Sequence, residues 1–77
     1  MAFNVKSVKL TFGFNNAGQG MAITLFANEK KKISVVPNVV VVVQTETNDG
    51  CMQVTEYPIP QYFVIEYVLL QAPDAKD

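Results

Sequence analysis

Two kinds of hydrophobic pattern run along the chain. From Asn4 to Phe14 apolar and polar residues alternate, with Val8, Leu10, Phe12 and Phe14 on one face and Ser7, Lys9 and Thr11 on the other. That is the pattern of a half-buried strand. From Ile33 to Val43 the alternation is lost, and Val39 to Val43 are five consecutive valines. Successive side chains of an extended chain point to opposite faces, so both faces of this stretch are apolar and both need cover. β-Branching at every position favours strand over helix. Residues 62–70 repeat the two-sided pattern, interrupted only by Glu66.

Turn signals divide these runs. Asn15 to Gly20 is rich in residues that tolerate positive φ, and Met21 to Asn28 alternates again, which predicts a first hairpin of 4–14 with 21–28. Gly13, on the polar face near the end of the first strand, marks a place for a bulge or a close backbone approach. Glu29 to Lys32 is a charged connection. Ile33 to Val36 reads as a short strand of its own, followed by a bulge or corner at Pro37-Asn38, because proline donates no ladder hydrogen bond. The valine strand then continues to about Thr47, and Asn48-Asp49-Gly50 turns it into a return strand over 51–57. Two closely spaced prolines, Pro58 and Pro60, predict an extended, unpaired linker over 57–60.

Over 61–71 the enrichment in Val, Ile, Tyr and Phe favours a strand, although Phe63, Tyr67 and Leu70 also fit a helical stripe. Residues 72–77 read as a frayed tail after Pro73, leaving one domain over 1–71. The expected fold is all-β: a small antiparallel barrel or sandwich of five or six strands, built from two hairpins and a C-terminal strand. Two two-faced strands hold more apolar surface than one small barrel buries. A homo-oligomer is therefore expected, with Val39, Val41, Val43, Val64, Val68 and Leu70 at the interface between copies.

Composition narrows the chemistry. The chain has 77 residues, a size at which one core is marginally sufficient and association is a common remedy. There is no histidine, and Cys51 is the one cysteine, so neither an imidazole base nor a thiol-rich metal site can be built. Glu46, Asp49, Glu56 and Glu66 show no calcium-loop spacing, and Gly18 and Gly20 lack the lysine and helix start of a phosphate cradle. No catalytic, cofactor or metal residue is assigned, and a non-enzymatic role is expected.

Six lysines stand against seven acids, without arginine, for a net charge of −1. This balance disfavours nucleic acid as a partner. The alternative function is a small barrel binding single-stranded nucleic acid through Lys9, Lys30, Lys31 and Lys32, with nearby aromatic rings as stacking platforms. The N-terminal residues resemble no signal peptide and no apolar run is long enough for a membrane helix, so a cytoplasmic or virion-associated location is expected. The preferred reading is a self-associating or macromolecule-binding β protein, of a character that fits a phage or viral accessory or structural component.

Overall fold

The structure, a computed structural model, describes residues 1–70; the tail expected over 72–77 lies outside them. The chain is all-β and antiparallel. Its elements are β1 (Phe3–Phe14), β2 (Gly20–Phe26), β3 (Lys31–Val36), β4 (Val40–Glu46), β5 (Met52–Pro58), a 3-10 turn (Ile59–Gln61) and β6 (Val64–Leu69). Among the described residues no helix is long and apolar enough to cross a membrane.

The sheet is organised around β1. Val5 pairs with Ile33 of β3 and Leu69 of β6, while Ser7 to Thr11 pair with both β2 and β6. Hence β6 holds one edge of β1, and β2 and β3 share the other. They run collinearly as one interrupted strand. The charged residues Glu29 and Lys30 form the tip of the excursion between them, closed by backbone bonds of 2.9 and 3.3 Å between Asn28 and Lys31. The Asn28 side chain accepts a further bond from the Lys30 N–H at 2.9 Å, as expected of a turn asparagine.

The stretch from Ile33 to Val43 does not extend through Pro37-Asn38 with a bulge or corner; it reverses there completely. Val36 pairs with Val40, Val35 with Val41 and Ile33 with Val43, so the apolar run is a hairpin paired with itself. Proline supplies the φ of the first central turn position, and Asn38 adopts φ 67° at the second, the combination that suits a type II turn. Because a β-branched residue is strained in that region, Asn38→Val is expected to lower stability by about 1–2 kcal/mol while Asn38→Gly is neutral or better. Paired urea melts of the two variants check this.

The prolines of residues 57–60 also behave differently from the linker expected of them. Tyr57 and Pro58 remain in β5, opposite Val41 and Val40, and the chain then tightens into the 3-10 turn. This connection forces the curvature of the sheet. Tyr57 lies on the cross-strand row of Phe3, and Val64 on that of Thr11, at opposite edges of the sheet. In a flat sheet these positions would be over ~30 Å apart. Seven residue steps span at most ~24 Å, less with a 3-10 turn among them. The sheet must therefore coil, and it forms a half-barrel.

The concave face holds the core. Val5, Val8, Leu10, Ile33, Val35, Val41 and Val43 are buried there, with Phe3, Leu25, Ala27, Tyr57, Ile59, Tyr62 and Ile65 packed around them. Ile59 and Tyr62 close one side of this core as the chain crosses towards β6. The half-barrel stays open, however. Its radius of gyration is 14.0 Å, against about 11.5 Å for a compact domain of this length.

Candidate interaction surface

Paired residues of neighbouring strands share a face, so the register assigns the paired side chains of the β2-β1-β6 half. On the concave face lie the rows Ile23–Leu10–Ile65 and Leu25–Val8–Tyr67. On the convex face lie Phe26–Ser7–Val68, Thr24–Lys9–Glu66 and Ala22–Thr11–Val64. Leu10 and Val8 are fully buried at the centre, but the apolar side chains on either flank of β1 remain open to solvent: Ile23, Phe26, Val64, Tyr67, Val68 and Leu69 are all exposed.

Glu66 is explained by this register. It sits on the convex face directly opposite Lys9, an opposite-charge cross-strand pair of the kind that favours a ladder. The pair sets a charged row between the apolar side chains of Phe26 and Val68 on one side and Ala22 and Val64 on the other.

A bulge between Thr11 and Gly13 alters the phase of β1. Phe14, expected on the core face with Val8 and Leu10, pairs with Gly20 on the convex side and is 53% exposed. A Cβ on Gly20 would stand 3.3 Å from the Thr11 methyl and 3.7 Å from the Phe14 ring; the glycine lets that ring lie against the strand. Phe63 adds a second ring, its centroid 5.6 Å from that of Phe14. On the concave side Phe3 and Tyr67 pair at 5.4 Å, beside a hollow of about 480 Å³ lined also by Asn4, Leu69 and Leu70.

The residues expected at an interface between copies divide into two groups. Val41 and Val43 are 0% and 5% exposed within the chain's own core, so no surface is available on them. Val39 sits in the β3–β4 turn, and Val64, Val68 and Leu70 are exposed on or just beyond β6. Val40 and Val42, the convex neighbours of the buried valines, are half-buried. Of the second two-faced run, Tyr62 and Ile65 pack against the core while the rest stays exposed: β6 is an edge strand, paired with β1 alone among the described residues. Phe63, Tyr67 and Leu69, which the expected interface does not include, are exposed as well, as are Phe14 and Phe26, two of the rings the nucleic-acid alternative offers as stacking platforms.

Among the described residues the edge itself is open. Leu70 N–H donates to the Asn4 carbonyl beyond the Val5–Leu69 pair, and on the other side of β1 Ala27 N–H donates to the Lys6 carbonyl beyond the Ser7–Phe26 pair; together they set the direction in which backbone groups alternate along β6. Val64, Glu66 and Val68 face β1, and Ile65, Tyr67 and Leu69 direct their N–H and C=O groups outward. Protected edges usually carry proline, lysine or a bulge; β6 itself carries neither proline nor lysine.

The lysines of the nucleic-acid alternative are dispersed. Lys31 is half-buried on the concave face opposite Thr45, Lys32 is on the convex face opposite Gln44, and Lys30 is at the tip of the excursion. Lys30 and Lys32 border a hollow with Glu29, Glu46, Gln44 and Met52, which contains no aromatic ring. Lys9 lies between Thr24 and Glu66.

Cys51 is an exposed free thiol just past the β4–β5 turn. In that turn the Thr47 hydroxyl and the Cys51 N–H hold the Asp49 carboxyl below its ordinary range. Whatever stability the carboxylate lends is present above that ordinary range and is lost only as pH falls through the depressed value. Among the described residues no three metal-binding side chains cluster. Comparison with known protein families, curated proteins and solved structures finds no match to this chain.

Proposed function

We propose that this is a non-enzymatic protein that works by self-association, the second copy covering the apolar β2-β1-β6 half and the open edge of β6. The observation that carries this reading is the coincidence of the two features on one strand. β6 combines unpaired backbone groups with exposed apolar side chains on both its faces, and such an edge pairs with another strand or aggregates. Lys9 stands opposite Glu66, Lys31 lies on the other face, and the hollow shared by Lys30 and Lys32 holds Glu29 and Glu46 and no aromatic ring, which favours this over single-stranded nucleic-acid binding. A structural or accessory role in a phage or viral particle accords with such an assembling module.

Charge on the convex face of β6 tests the proposal. Val64→Lys with Val68→Lys leaves every core residue in place, and both positions are already exposed. The double variant is expected to keep the β-sheet circular dichroism of the wild type but to give the monomer mass in light scattering at a concentration where the wild type does not. Equal masses for the two proteins would refute it.

A further inference from the structure

Resting on that self-association reading, we infer that the second copy adds to the sheet by antiparallel pairing of β6 with β6 about a twofold axis at Tyr67. The occupant follows from the edge. A row of outward N–H and C=O groups at Ile65, Tyr67 and Leu69 is satisfied in full only by another strand, and a twofold axis allows one edge to complete itself. Because the outward groups belong to odd-numbered residues, only registers that set odd residues opposite odd residues form hydrogen bonds.

Two such registers overlap most of the strand. Centring on Glu66 would place the two Glu66 carboxylates directly opposite each other, a destabilising arrangement. Centring on Tyr67 pairs Tyr67 with Tyr67, Ile65 with Leu69 and Val64 with Leu70. It sets Glu66 against the second copy's Val68 while Lys9 of its own chain remains on its other side. Glu66 thereby chooses the register.

The concave side of the joint becomes aromatic against aromatic and aliphatic against aliphatic, pairs that strengthen a ladder. Phe63, Val64, Tyr67, Val68, Leu69 and Leu70 are between 37% and 69% exposed. Together they offer on the order of 600 Å² per copy, close to the ~800 Å² each partner contributes to a stable interface. Two six-stranded half-barrels would then form one continuous twelve-stranded assembly.

Leu69→Pro removes an outward N–H without touching the donors that face β1, and proline is tolerated on an edge. It is expected to weaken association ~10-fold or more, with the β-sheet spectrum retained. Disulfide trapping gives the register independently of that variant's folding. In a Cys51→Ser background, Tyr67→Cys is expected to cross-link to its copy readily under mild oxidation and Glu66→Cys poorly.

Preferential cross-linking through position 66, or a wild-type dimer in which neither position cross-links and Leu69→Pro is without effect, would overturn the β6 joint while leaving self-association intact. A wild-type protein that is monomeric would overturn both.

Discussion

Val41→Lys is expected to yield no folded protein, whereas Val42→Lys, one residue along the same run of valines, is expected to fold. Val41 is 0% exposed, between Val35 and Tyr57 on the concave face. An ammonium there has no partner and no route to water, and its burial costs several kcal/mol or forces the amine to neutralise. A domain of this size has only about 3–5 kcal/mol in total. Val42 is half-buried on the convex face between Ser34 and Glu56. A lysine there extends to solvent beside a carboxylate on the adjacent strand. Far-UV circular dichroism with thermal melts should show a disordered chain for the first variant and a cooperative transition within about 5 °C of the wild type for the second, a shift of roughly 1 kcal/mol. Equal tolerance of lysine at both positions would mean that the two faces of β4 are not distinguished as described.

The second large effect is expected at the centre of β1. Leu10 is completely buried between Ile23 of β2 and Ile65 of β6, the residue on which both flanking strands close. Leu10→Ala removes the transfer free energy of the side chain and leaves a cavity, together about 3 kcal/mol. For a chain of this length that corresponds to a fall in melting temperature of about 15 °C. Ile23→Ala lies on the same row, but Ile23 is 37% exposed, and less than half that loss is expected. Melts at one fixed protein concentration are the comparison to make, since association would itself add to the apparent stability. A larger loss at Ile23 than at Leu10 would locate the centre of the core in the wrong strand.

Much of this architecture is legible in the sequence, because its strongest signals are local. Alternation over 4–14 and 21–28, the glycine-rich loop between them and Asn48-Asp49-Gly50 give β1 with β2 and β4 with β5. The β-branched and aromatic character of 61–71 gives a strand. What escaped depended on turn chemistry or on partners distant in sequence. Pro37-Asn38 has the residue types of a complete reversal, yet between two apolar runs it reads equally as a bulge or corner. The unbroken run suggested two covered faces, but pairing with itself sends Val41 and Val43 inward and leaves Val40 and Val42 half-covered.

At Gly13 a bulge was legible; its consequence, the transfer of Phe14 to the convex face, was not. For the surface, the pattern of 62–70 places apolar residues on both faces, and several of them are exposed on each. Their assignment to an edge instead of the interior required knowledge that β1 takes β6 on one side and two strands in line on the other, a long-range arrangement no local pattern encodes.

Either this half-barrel works alone or it is completed by another copy of itself. Sedimentation equilibrium of the wild-type chain across micromolar concentrations addresses this most directly. The expected result is a mass that is an integer multiple of 8.5 kDa and shifts towards the monomer on dilution. A mass of 8.5 kDa throughout, from protein that stays soluble and folded, would contradict it.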